Sequence, residues 1–259
     1  MRRLIGPLVA VMLVFNTGLV EARTHPAKPG PASFVFEDTF NRIVPTGQSL
    51  GRATSGQDWV TTSSGNVGLY TVSVDGAKAN VSMGPDPAGT NQLVWEASLG
   101  RNPKTGPFDL LLEWTPTANN PLIAVWLGTT TGVALQMGYA FNWPLGVTNQ
   151  FTAAWIYDGV NPSPGGVSAP TTFPLGVEMS ARLRYAGGQL LLRVWPTASA
   201  EPSTWDASFT FSFVPVIDTV ELLTSDQHFV PAPTCPGCDP YYKPAGSALA
   251  INHLRLSVP

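Results

Sequence analysis

Apolar side chains recur at every second position through most of the chain, the period of a strand with one buried face. Phe108, Leu110, Leu112 and Trp114 alternate with Asp109, Leu111 and Glu113. Val133, Leu135, Met137, Tyr139, Phe141 and Trp143 alternate with smaller or polar residues in the same way. Val177 to Tyr185 repeats the pattern, Gly187-Gly188 interrupts it, and Leu190, Leu192 and Val194 resume it, which predicts a β-hairpin. Further strands are expected over 34–40, 57–62, 67–83, 92–99, 122–128, 150–157, 207–213, 216–223 and 248–258. No stretch carries a sustained helical period. A dozen or so strands punctuated by Gly, Pro, Asn and Ser predict an all-β chain, an antiparallel β-sandwich of the jelly-roll kind. No interior linker and no repeat of 20 to 50 residues divides it, so residues 33–259 are expected to form one domain.

Composition narrows the class of partner. Only 12% of residues are charged, and 14 Lys and Arg against 17 Asp and Glu leave a net charge of -3. That leaves no basic surplus to neutralise phosphates, which excludes nucleic acid as an expected partner. The 44% hydrophobic content is enough for a sizeable core. The 25 Gly and 25 Pro are numerous, yet stay below the share of about 25–30% that marks low-complexity disorder.

Arg2 and Arg3 precede an apolar run from Leu4 to Phe15, and Val20-Glu21-Ala22 supplies small residues at the -3 and -1 positions of a signal-peptidase site. Residues 1–22 therefore read as a signal peptide, and 23–32, with Pro26, Pro29 and Pro31, as an extended Pro-rich linker. A run of about 12 residues spans only about 18 Å as a helix against a hydrocarbon core of about 30 Å, so stable membrane insertion is not expected. The body is thus expected to be secreted, extracellular or at the cell surface. In that oxidising setting Cys235 and Cys238, in Thr-Cys-Pro-Gly-Cys-Asp, read as a local disulfide. Two other readings stand beside it. A metal site using His228 lacks an evident fourth ligand, and a redox pair needs a helix that Pro231, Pro233, Pro236 and Pro240 deny.

The richest candidate chemistry is aromatic. Tyr139, Phe141, Trp143, Trp155 and Tyr157 fall within twenty residues, on two expected strands joined through Pro144-Leu145-Gly146. Sugar C–H faces stack on such rings while amides such as Gln136, Asn142 and Gln150 bind hydroxyls, which makes carbohydrate a candidate ligand. The competing reading is that these rings fill the sandwich interior. Two rim segments form a second candidate surface: Asp158 to Pro170, and Gln227 to Pro244, which carries Tyr241-Tyr242 and the cysteine pair.

Three blocks carry a family resemblance. The first is Asp38-Thr39-Phe40-Asn41-Arg42 with Leu50-Gly51 and Gln57-Asp58-Trp59. The second is Leu192-Arg193-Val194-Trp195-Pro196 with Glu201-Pro202-Ser203-Thr204-Trp205, and the third is Ile251-Asn252-His253-Leu254-Arg255-Leu256. Together they resemble the concanavalin A-like lectin/glucanase superfamily, in particular laminin-G-like jelly-roll modules of secreted bacterial and phage tail proteins. The resemblance implies that first and last strands pair, bringing the Asp38 block beside the Ile251 block. It also implies an acidic residue in the closing strand, in some members beside a structural calcium. Asn252-His253 stands there instead, so Glu37, Asp38 and the Asn252 amide oxygen are the candidate calcium ligands, against a plain hydrogen-bonded arrangement.

Signatures of catalysis are absent from the sequence. The Glu-x-Asp-x-x-Glu and Glu-x-Asp-x-Glu patterns of the superfamily's glucanases do not occur. Asp109 and Glu113 share a face about 13 Å apart, too far for either glycosidase geometry, and Glu96 approaching Glu113 from a neighbouring strand is the remaining pairing. No Gly-x-Ser-x-Gly or His-Glu-x-x-His motif is present. The expectation is a non-catalytic sandwich that binds carbohydrate or another surface ligand. The alternatives are a structural or self-assembling protein of a surface layer or virion, and a degenerate glycoside hydrolase or lyase.

Overall fold

A computed structural model describes residues 33–64, 67–85, 92–100, 103–118, 122–129, 131–142, 147–157, 162–170, 173–210, 214–225, 229–230, 241–242 and 246–258. The chain opens with β1 (Ser33–Asp38), β2 (Ile43–Gly47), β3 (Val60–Ser64), β4 (Tyr70–Asp75) and β5 (Ala79–Met83). It continues through β6 (Gln92–Ser98), β7 (Lys104–Thr105), β8 (Phe108–Ala118), β9 (Leu122–Leu127) and β10 (Gly132–Asn142). Next come β11 (Val147–Tyr157), β12 (Pro162–Pro170), β13 (Met179–Ala186), β14 (Gln189–Pro196) and β15 (Ala207–Thr210). The last are β16 (Val216–Ile217), β17 (Thr219–Ser225), β18 (Phe229–Val230), β19 (Tyr241–Tyr242) and β20 (Ser247–Val258).

Two large antiparallel sheets result, together with the two-stranded pairs β7–β16 and β18–β19. The nine-stranded sheet runs β15-β14-β13-β8-β20-β5-β4-β2, with β1 also on β20. The seven-stranded sheet runs β12-β11-β10-β9-β17-β6-β3. One apolar core holds the inward rows of both: Phe108, Leu110, Leu112 and Trp114 from β8 meet Ile123, Val125 and Leu127 from β9 and Leu93 and Trp95 from β6. Each fully buried Leu, Ile or Phe there is worth about 1.5–3 kcal/mol of transfer free energy. Alternation in the sequence thus becomes an inward and an outward row on every strand, the architecture of a β-sandwich.

Local sequence explains the joints. Gly187 and Gly188, at φ of 59° and 75°, close the β13–β14 hairpin with both central residues left-handed, as a type I′ turn requires. The stretch 67–83, expected as one strand, is instead a 3-10 turn followed by the β4–β5 hairpin. Asp75 makes the break: its Oδ1 accepts from the amides of Ala77 (3.1 Å) and Lys78 (3.2 Å), and Gly76 sits at φ 94°. Asp158 to Pro170 was expected to be a rim loop, yet 162–170 forms β12 on β11. Three prolines in that stretch forgo amide donors, which only an edge strand tolerates.

β1 pairs with the second half of β20, Asp38 opposite Leu254, so the chain's first and last described strands lie side by side. Phe40, fully buried at φ 51°, turns the chain out of β1. A non-glycine residue in that region costs on the order of 1–3 kcal/mol. Asp38 holds it there, accepting from the Phe40 amide at 2.9 Å.

Candidate functional site

The Asp38 block is a structural lock. Beyond the Phe40 amide, the buried Asp38 carboxylate accepts from both terminal nitrogens of Arg42 (2.6 and 2.9 Å) and from Trp59 Nε1 (2.7 Å). Arg42 in turn donates to the Leu50 carbonyl. Phe36 packs edge-on against Trp59 at 5.2 Å. Asp38, Phe40, Arg42, Leu50 and Trp59 of the first resemblance block are all held in this joint, whereas Asp58 is exposed and pairs with Arg52.

The proposed calcium ligands do not converge. Asp38 turns inward to Arg42 and Trp59, whereas Glu37, the next residue on the strand, lies on the opposite face and meets His253 Nε2 at 3.1 Å. The Asn252 amide oxygen accepts from the Thr115 hydroxyl at 3.4 Å. Among the described residues no group of three or more His, Cys, Asp or Glu has a metal-holding arrangement. These donors do not fit a calcium ion, which takes six to eight oxygen ligands.

The outer face of the nine-stranded sheet is an ion network. Asp109 pairs with Arg184 (2.6 Å) and Arg182 (3.5 Å), and Glu201 pairs with Arg182 (3.0 Å) and Arg193. Arg193 also donates to the Pro202 carbonyl and stacks on Trp205 at 4.1 Å, with Arg184 over the same ring at 5.4 Å. The second resemblance block is therefore a clip that holds the 197–206 segment on the sheet. Glu113 meets His253 Nδ1 at 3.4 Å. Asp109 and Glu113 are thus both engaged structurally, and Glu96, on β6 of the other sheet, does not approach Glu113. The Glu96–Glu113 approach that the sequence left open does not form: Glu96 is paired with Glu221 instead.

That pairing lies on the outer face of the seven-stranded sheet, where Val94, Leu122, Ala124, Ala134 and Leu223 are buried and Glu96, Glu221 and Trp126 half-buried. One cross-strand row runs Val60, Glu96, Glu221, Trp126, Ala134 and Trp155 over β3, β6, β17, β9, β10 and β11. In the next row Val94, Leu223 and Ala124 lead to Gln136. Val94, Leu122, Ala124 and Leu223 form an apolar cluster separate from the core, with half-buried Trp126 packed against it. Side chains directly opposed on one face hold their Cβ atoms about 4.5–5.5 Å apart. Burial pushes the Glu221 carboxyl above the usual range, and the Glu96 charge beside it adds to the shift. Among the described residues no cation forms an ion pair with either carboxylate.

Register sorts the aromatic candidates. Gln136 is on this outer face, and Trp155 and Tyr157 stand opposite Ala134 and Gly132, in its rows. Tyr139 falls instead in the odd-numbered register of Val133, Leu135 and Met137, the row that is interior over those three residues. Asn142 pairs with Val147, six residues along β10 from Gln136 and so remote from the Glu96 row. Tyr241 and Tyr242 form β19 on β18. Trp143, Cys235, Cys238 and His228 lie outside the described residues. Glu221 and Trp126 escaped sequence reasoning. Glu221 is one acid in a short apolar strand, Trp126 lies in an unbroken apolar run, and only long-range pairing sets them together.

No protein-family model matches the chain, and no curated protein does either. Solved structures do share its fold. The metal-free exoplasmic/lumenal domain of VIP36 aligns at TM-score 0.53 and 11% identity, covering 88% of this chain and 93% of that one. The same domain with calcium and a dimannose aligns at 0.51 and 10%, over 87% and 88%. A structure reported for endo-acting O-glycanases of the human gut microbiota aligns at 0.53 and 13%, over 87% and 99%. Together with the sheet order, these show that the chain shares the antiparallel β-sandwich fold of those structures, a likeness of fold alone.

Proposed function

We propose that the protein is an extracellular carbohydrate-binding sandwich whose ligand lies across the outer face of the seven-stranded sheet. The observation that carries this reading is the row from Trp126 to Glu221 and Glu96, an aromatic ring beside two carboxyls that lack cationic partners among the described residues. Sugars suit such a surface: rings cover their C–H faces and carboxyls accept from their hydroxyls. The fold neighbours, one with a dimannose bound and one reported for O-glycanases, support the reading. The terminal motifs, similar to laminin-G-like modules of secreted bacterial and phage tail proteins, support an extracellular setting.

Binding of labelled protein to an array of neutral glycans tests it, with Trp126→Ala as the control. Loss of binding with the fold retained is expected, and no binding to any glycan overturns it. Light scattering on the same sample separates this function from assembly into a surface layer or virion. A monomer is expected, and an ordered particle favours assembly.

One observation favours a second reading, cleavage at the same face. Glu96 and Glu221 are directly opposed across β6 and β17, and retaining glycosidases use two carboxyl groups about 5–5.5 Å apart. Glu221, raised by burial, would be the proton donor and Glu96 the carboxylate. Release of reducing ends from a polysaccharide panel, abolished by Glu221→Gln, would establish it over simple binding.

A further inference from the structure

His253 sits where three strands meet on the outer face of the nine-stranded sheet. Its Nε2 is 3.1 Å from Glu37 Oε1 on β1, and its Nδ1 is 3.4 Å from Glu113 Oε2 on β8. All three side chains are largely shielded, the imidazole 19% exposed. A neutral imidazole has one N–H, so its other nitrogen would face a carboxylate lone pair to lone pair. Only the imidazolium donates from both nitrogens. The register of β20 on β8 shifts between Ile251 and His253, a local irregularity of the kind that re-aims a side chain. Among the described strands β1 pairs with β20 alone.

We propose that protonated His253 is a proton-dependent fastener that ties the N-terminal strand, through Glu37, to the centre of the sheet, through Glu113. The surrounding charges favour the closed form. Glu113 also accepts from the Ser180 hydroxyl of β13 and feels Arg255 of β20. Glu178, just before β13, feels the charges of Glu113 and Lys78. The hydrogen bond that His253 donates to Glu113 is the main influence raising its imidazole, with Glu37 adding to it against the effect of burial. Because the folded value lies above 6.5, the stabilisation is complete below that pH and is lost as pH rises through the folded value. On the acid side Glu113 is held below 4.5, chiefly by His253, so its share is lost as pH falls through that lower value.

Amide hydrogen exchange of 34–38 and 254–258 on the full chain, between pH 5 and 9, tests the fastener. After correction for intrinsic rates, wild-type protection is expected to fall by about tenfold as the imidazole deprotonates. The melting temperature is expected to fall over the same interval by about 2–4 °C. His253→Gln should hold the lower values at every pH. Glu37→Gln should lose the drop in strand protection while keeping the sheet. A wild-type profile that matches His253→Gln overturns the proposal. So does an imidazole that titrates at or below the ordinary histidine range by NMR, a readout that does not depend on either variant folding.

Discussion

Glu221 stands directly opposite Glu96 on neighbouring strands, two carboxyls in one row with an apolar cluster beside them. Like charges placed this way oppose strand pairing, and burial adds to the cost. Packing needs neither of them, since a neutral side chain of similar size would fit both positions. A chain that carries both gives up stability on one face, the pattern expected where that face has a task.

Replacing Glu221 by Gln is therefore expected to stabilise the fold at neutral pH. A carboxyl raised on folding binds its proton more tightly in the folded state, so stability declines as pH rises from about 4.5 through the folded value. Glu221→Gln removes that decline. At pH 7 its melting temperature should rise on the order of 2 °C, and should match wild type at pH 4. Melting curves across this range check both halves.

Asp38 should behave oppositely. Its carboxylate is fully buried and accepts from Phe40, Arg42 and Trp59, so Asp38→Ala leaves the indole N–H without its acceptor and the guanidinium with only the Leu50 carbonyl and no counter-charge. A loss of about 3–5 kcal/mol is expected in urea unfolding. Adding calcium or EDTA should leave wild-type stability unchanged, because the arginine already supplies the cation.

Two glycines separate strain from crowding. Gly76 and Gly128 both sit at φ 94°, but a Cβ at Gly76 meets nothing within 4 Å, while one at Gly128 would lie 2.3 Å from the Val216 carbonyl and 2.5 Å from that of Thr131. Gly76→Ala should cost about 1 kcal/mol. Gly128→Ala should cost several times more and disturb the end of β9, just past Trp126. Equal effects in denaturant unfolding would contradict this account.

Much of the architecture was readable because a sandwich writes itself into alternation: the rows of β8, β10, β13 and β14 follow directly from period two. The pairing of β1 with β20 followed from the terminal motifs. Proline content misled at β12, where an edge strand spares the missing donors, and an Asx turn split 67–83. The candidate site was far less legible. Glu96 and Glu221 are 125 residues apart, and their encounter depends on β6 and β17 lying side by side, which no local pattern encodes. Tyr139 and Gln136 are neighbours in sequence, yet register puts them in rows of opposite parity.

A sugar bound as proposed stacks on the Trp126 row. Titration of a neutral oligosaccharide selected from the array into wild type and Trp126→Ala, at pH 7 with both variants shown folded, tests it most directly. Loss of one stacking ring predicts affinity weakened by roughly threefold to tenfold or more. Identical affinities for the two proteins would place the ligand elsewhere and contradict the account.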